Sequence, residues 1–202
     1  NTVNAEIDQK PWGIAPAISE QIYTLEDALL FAGMQMVILR NADVIKIACQ
    51  SLLTNISACI MTEKNGGYWL QTIYYPFHYF ATYAKGTVLK TASTGPCYSC
   101  AEFDEVPYVD SLVVWNEEDQ ELVIFAVNRS EEELQKAEVD LQDFEIQHVI
   151  ESICMTAENK KMTNMEQHDA VIPKKEKNVE IETGRCQITL QPLSFNMVRL
   201  AV

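Results

Sequence analysis

The chain has 202 residues, 48% of them apolar and 22% charged, which excludes wholesale disorder and allows one large domain or two small ones. Its net charge of −14, from 29 acidic and 15 basic residues, argues against a nucleic-acid or anionic-membrane binder and reads as a solubilising surface. Nowhere do the roughly 18 uninterrupted apolar residues of a transmembrane helix occur.

The opening, NTVNAEIDQK, lacks both an initiating Met and the regions of a signal peptide, so the start reads as a cut end. Thr24-Leu25-Glu26-Asp27 then supplies an N-cap hydroxyl with an acid three residues on. Leu25, Ala28, Leu29, Ala32, Met36 and Leu39 follow at helical spacing, and Arg40 suits the negative pole of that helix. The run Val44–Cys49 is short, apolar and rich in β-branched residues, the pattern of a buried parallel strand. Thr62–Gly67 is a polar, glycine-containing surface loop. A second helix is predicted from about Ile73 to Ala84, with Pro76 tolerated only in its first turn and Gly86 as its C′ residue.

After Gly86 the period changes to two. Strands are predicted at Val88–Thr91, Ser111–Trp115, Glu121–Val127, Ala137–Leu141, Ile146–Ile153, Val179–Glu182, Cys186–Leu190 and Phe195–Leu200. Many short strands between polar turns indicate an antiparallel sandwich. The boundary falls near 86, giving an α/β piece over residues 1–86 and an all-β domain over 87–202. One strand between two helices cannot form a sheet by itself, so the first piece reads as the end of something longer.

Cys49, Cys59 and Cys154 sit in apolar runs and read as buried free thiols in a reducing compartment. Cys97-Tyr98-Ser99-Cys100 has CxxC spacing, but there is no second pair, and His78, His148 and His168 are scattered. It follows a Gly-Pro loop rather than opening a helix, so no zinc or redox site is assigned. The aromatic cluster from Tyr68 to Tyr83, His78 included, reads as core or interdomain packing rather than a sugar-stacking platform. The sequons at Asn55 and Asn128 carry no weight without a secretion signal.

The string IYTLEDALLFAGMQMVILRNADVIKIACQSLLTNISACIMTEKNGGYWLQTIYYPF resembles the end of the catalytic barrel in family 51 glycoside hydrolases, the α-L-arabinofuranosidases. VPYVDSLVVWNEEDQELVIFAVNRS and LQPLSFNMVRL resemble the same family's C-terminal β-sandwich. The resemblance implies the last βα elements of a (β/α)8 TIM barrel, followed by an antiparallel, jelly-roll-like β-sandwich. Residues 11–41 would hold the seventh helix, Val44–Cys49 the eighth strand and residues 70–85 the eighth helix.

Further implications follow from the family. The whole enzyme would be a cytoplasmic, retaining hydrolase acting on arabinose-containing oligosaccharides, without cofactor or metal, and a homo-oligomer. Both catalytic glutamates would lie upstream of Asn1, so this chain would contain none and be inactive alone. A family glutamine that binds the sugar falls at Leu52, which cannot hydrogen-bond a hydroxyl, whereas Ala48, Cys49 and Asn55 match the pattern. Either Gln50, two residues earlier on an extended chain, substitutes for it, or the subsite is simply changed. Asn116-Glu117 imitates an acid/base dipeptide but belongs to a turn, and Glu26-Asp27 is a helix first turn. The alternative reading is a non-catalytic β-sandwich interaction or carbohydrate-binding module with a vestigial helical leader.

Overall fold

A computed structural model describes residues 20–141, 143–182 and 184–202. In chain order it contains α1 (Leu25–Arg40), β1 (Ile60–Thr62), β2 (Tyr68–Leu70), α2 (Tyr74–Tyr83), β3 (Thr87–Leu89), β4 (Cys97–Tyr98) and β5 (Val106–Pro107). Then come β6 (Val109–Asn116), β7 (Glu121–Asn128), β8 (Gln135–Asp140), β9 (His148–Met155), β10 (Lys174–Lys175), β11 (Val179–Glu182), β12 (Arg185–Leu190) and β13 (Ser194–Ala201).

The central layer is an antiparallel sheet in the order β10-β9-β13-β7-β6-β3. Strand alternation splits its side chains cleanly between two cores. Leu112, Val114, Val123, Phe125, Val127, Phe195 and Met197 face one way, onto Leu25, Ala28, Leu29, Ala32 and Met36 of α1 and Phe80 of α2. Val113, Leu122, Ile124, Ala126, Val198 and Leu200 face the other way, onto Cys186, Ile188 and Leu190 of the smaller sheet β11-β12-β8. The result is helices, sheet and sheet in three layers, an antiparallel β-sandwich roofed by two helices.

Each helix is fixed at its ends. Thr24 caps α1 through a complete capping box with Asp27, and the Leu25 and Glu26 amides donate to the carbonyls of Met162 and Lys160. A loop of the sandwich thus satisfies donors that a helix start leaves open. At the other end, Asp110 of β6 accepts from both Arg40 and Arg129. Pro76 is the third residue of α2, where a missing amide costs no helical hydrogen bond. Phe80 stacks on Phe125 with ring centroids 4.2 Å apart. Arg199 lies 4.5 Å from the Tyr83 ring centroid while its guanidinium forks onto Glu121.

The eight predicted strands all form, with ends shifted by a few residues. Three expectations need correction. Val44–Cys49 is an exposed, extended-to-irregular segment rather than a strand, because no neighbouring strand exists among the described residues to take its hydrogen bonds. Cys49 is therefore exposed, whereas Cys59 and Cys154 are buried as expected. The C-cap of α2 is Ala84, so Gly86 lies one residue beyond C′. Its φ of +117° and its approach to β6 explain it instead: a Cβ there would sit 2.1 Å from the Trp115 carbonyl oxygen.

Gly86→Ala should therefore lower stability by about 1–3 kcal/mol or more in urea titrations, since strain and a backbone collision add. Gly66→Ala, at φ +101° with nothing within 4 Å, carries the strain alone and should cost less.

Candidate functional site

The sequence-predicted site residues fall in the loop from Gln50 to Ser57, between α1 and β1. This loop is closed by its own side chains. The Gln50 amide nitrogen donates to the Ser57 carbonyl at 2.8 Å. Asn55 accepts from the Thr62 backbone at 2.9 Å, donates to the Thr62 hydroxyl at 3.0 Å, and gives its own amide to the Ile60 carbonyl. Leu52, Asn55 and Ser57 all have positive φ, at 59°, 67° and 48°. Three non-glycine residues in that region within six positions store strain, which ordinary connecting loops rarely carry. Asn tolerates it best, and here its side chain is the latch.

Leu52 is 55% exposed and makes no polar contact through its side chain, which has none to make. Its left-handed backbone interrupts the two-residue alternation that would set Gln50 beside it. Gln50 is half-buried and turned toward Ser57, so the two side chains are not equivalent positions on one extended strand.

Beyond the loop, β1 and β2 form a hairpin with Thr62 opposite Tyr68 and Met61 opposite Trp69. Sequence reasoning placed only a polar loop there, because three-residue strands around Glu63–Gly67 give almost no periodic signal. It also missed the residues that hold the region. Gln71 is fully buried, and its amide accepts from the Tyr23 backbone and donates to the Gln21 and Ala58 carbonyls, each at 2.9 Å. Thr72 donates to the Thr24 carbonyl at 2.7 Å. Asn164, also fully buried, donates to the Leu70 and Val171 carbonyls. The available signal was a polar Gln-Thr pair leading into an otherwise apolar, aromatic run.

Trp69 is buried and stacked on His168, with centroids 5.6 Å apart, and His168 Nε2 lies 3.2 Å from Glu63 Oε1. Tyr74, Tyr75, Phe77, Tyr79, Phe80 and Tyr83 pack as expected, with Phe80 and Tyr79 against Phe195, and burial pushes the Tyr75 hydroxyl up to about 12, whereas Tyr68 departs from the expectation and is exposed. His78 departs from that expectation, being exposed and stacked face to face on Tyr74.

Asn116 closes the β6–β7 turn by donating to Asp119, and Glu117 lies exposed in that turn. Glu26 pairs with Lys161 and Asp27 belongs to the capping box. Asn128 is fully buried, donating to the Glu133, Leu190 and Gln191 carbonyls, which leaves it no room for a glycan. Cys97 and Cys100 lie exposed on the β4–β5 hairpin. Among the described residues no group of three or more His, Cys, Asp or Glu could hold a metal ion, and no helix is long and apolar enough to cross a membrane.

The described residues form a β-sandwich roofed by two helices, with a strained, side-chain-latched loop at one side. The profile of the α-L-arabinofuranosidase C-terminal domain matches residues 1–194, and the chain belongs to that family. It is 42% identical over 190 residues to an intracellular exo-α-(1→5)-L-arabinofuranosidase of Halalkalibacterium halodurans, covering 94% of this chain and 38% of that protein. It is 39% identical over 197 residues to an intracellular exo-α-(1→5)-L-arabinofuranosidase of Bacillus subtilis, covering 96% and 39%. Among solved structures, a family 51 α-L-arabinofuranosidase from Bifidobacterium longum superposes with a TM-score of 0.86 at 28% identity, covering 95% of this chain and 38% of that one. The chain thus spans about two fifths of the length of these relatives.

Asn55→Ala removes both Thr62 contacts and leaves a β-carbon residue in the left-handed region. Amide exchange at Thr62 should accelerate at least tenfold while the β7 amides stay unchanged; equal protection at Thr62 would show that Asn55 is not the latch.

Proposed function

We propose that this chain is the C-terminal part of a retaining α-L-arabinofuranosidase that releases terminal non-reducing α-L-arabinofuranosyl units from arabinan- or arabinoxylan-type oligosaccharides in the cytoplasm. In this reading residues 1–86 complete a (β/α)8 barrel and residues 87–202 form its supporting sandwich. The whole protein is a homo-oligomer on the same reading. Both catalytic glutamates stand on barrel strands upstream of Asn1.

The observation that carries the proposal is an apolar stripe of α1 that the central sheet leaves uncovered. Leu30, Met34 and Val37 recur at i, i+4 and i+7 and are 65%, 54% and 54% exposed. They line one side of a groove of about 990 Å³ whose other side is Tyr98, Tyr108 and Arg129 of the sandwich. Further along the chain Val44, Ile47 and Leu53 are also left exposed, at 76%, 83% and 72%. A helix apolar all round belongs between two layers, and a β-branched run needs strands on both sides. The missing layer is the rest of a barrel. The alternative of a free-standing interaction or carbohydrate-binding module leaves this whole surface in water.

Retention requires two carboxyls about 5–5.5 Å apart and a covalent glycosyl-enzyme between two steps. This chain contributes neither carboxyl. Barrel active sites lie at the C-terminal ends of the strands, so the segment after Cys49 forms part of the pocket wall. There the loop that carries Gln50, Leu52 and Asn55 borders the sugar. Leu52 replaces a hydrogen-bonding side chain, and Asn55 fixes the loop that presents the wall.

The whole protein should release arabinose from arabino-oligosaccharides with retained anomeric configuration, and this chain alone should release none. Turnover by the pure chain, or inversion, would refute the reading.

Thiol labelling at pH 8 tests the docking face independently. Burial holds the Cys59, Cys154 and Cys186 thiols protonated, pushed up to about 11, so they should label only on unfolding. Cys97 and Cys100 should label in both the chain and the whole protein. Cys49 should label in the chain and be protected in the whole protein, where the strand it ends has neighbours.

A further inference from the structure

The β1–β2 hairpin carries one aromatic ring that no packing explains. Tyr68 is 70% exposed, although its neighbour Trp69 is only 8% exposed and stacked on His168. Strand alternation puts the two rings on opposite faces of β2. Tyr68 therefore shares its face with its cross-strand partner Thr62, whose hydroxyl lies 3.1 Å from Asn55 Oδ1. The exposed ring and the latched loop belong to one surface, with Tyr68 offset from the Thr62 strand by one interstrand spacing, ~4.8 Å.

The strand that carries the ring is firmly anchored. Ile60, Met61 and Thr62 are in register with Leu70, Trp69 and Tyr68. Asn164 holds the Leu70 carbonyl at 3.0 Å, and the Gln71 amide donates to the Cys59 carbonyl at 2.9 Å. The hairpin turn from Glu63 to Gly67 is otherwise polar. An exposed aromatic face with a polar tip, carried on an anchored strand, suits a ligand whose rings present C–H faces flanked by hydroxyls.

We propose that Tyr68 stacks against the part of a glycan that extends beyond the terminal arabinofuranosyl unit, and so sets preference for oligosaccharide over short substrates. The proposal rests on the enzymatic reading above. The Gln50–Asn55 loop takes the terminal sugar, and Tyr68, on the strand beyond Thr62, meets what is attached to it. Binding energy from this remote sugar is gained without any change in the reacting groups.

The test uses the whole protein with Tyr68→Ala and Tyr68→Phe, an arabinotriose substrate, and free L-arabinose as a competitive inhibitor that occupies only the terminal-sugar site. Tyr68→Ala should raise KM for arabinotriose about 2- to 12-fold, the range of an aromatic contact. Its inhibition constant for L-arabinose should stay within about twofold of the parent, as one exposed side chain outside that site predicts. Tyr68→Phe should behave as the parent protein on both measures. An unchanged KM in Tyr68→Ala overturns the proposal, as does a Tyr68→Phe loss equal to that of Tyr68→Ala. A parallel rise in the L-arabinose constant also overturns it, because the loop rather than the ring would then be responsible. A parent protein that releases no arabinose at all overturns the enzymatic reading itself, a result separable from the other three.

Discussion

The central sheet has no face for solvent. Along β7 and β13 nearly every residue is buried, with Phe125 and Phe195 pointing to the helices and Ile124 and Val198 to the smaller sheet. A strand apolar on both faces must be covered on both, and the chain has just two layers to offer. The helices are therefore as much part of the sandwich as its second sheet is. This explains why the end contacts of α1 and α2 run into the sandwich: Arg40 to Asp110, the α1 amides to Lys160 and Met162, Arg199 to Tyr83. A boundary near residue 86 divides the chain by secondary-structure type, yet one hydrophobic core spans both sides of it.

Much of this was legible because the signals were long. Sixteen residues of α1 carried a cap, a stripe and a closing arginine, and the eight-residue strands β6, β7, β9 and β13 carried clear runs of β-formers. The short elements were invisible for the converse reason: β4, β5 and β10 have two residues each. Val44–Cys49 shows a different limit. Its pattern is that of a buried parallel strand, but pattern states what a segment can become and pairing decides what it is. Without neighbours it remains an exposed apolar ribbon. Gly86 likewise read as a helix terminator, whereas the carbonyl of Trp115, twenty-nine positions away, is what forbids a side chain there.

The candidate site was legible only as a location. Family likeness pointed to residues 50–55, but nothing in the string QSLLTNIS announced three left-handed residues or a loop latched by Asn55. Those depend on Thr62 arriving alongside, which depends on β1 pairing with β2. That pairing is itself anchored by buried amides, Gln71 on one side and Asn164 on the other. Buried polar groups cost stability when unsatisfied, so each such residue holds its backbone partners within narrow limits.

This chain of dependence gives the sandwich a role beyond support. Asn164 and His168 lie on its loop between β9 and β10, yet their partners are Leu70, Trp69 and Glu63 of the hairpin. The Asn164 amide is fully buried and ties Leu70 and Val171 together, so the hairpin cannot shift without breaking hydrogen bonds in a dry environment. His168 adds a flat, partly exposed contact at the hairpin's other end. Two attachments at different points along a short hairpin fix its orientation as well as its position. The surface shared by Asn55, Thr62 and Tyr68 is therefore set by a loop about a hundred residues further along the chain. On the enzymatic reading proposed above that surface is a pocket wall, and a grip on the hairpin by the sandwich is what would hold such a wall in place.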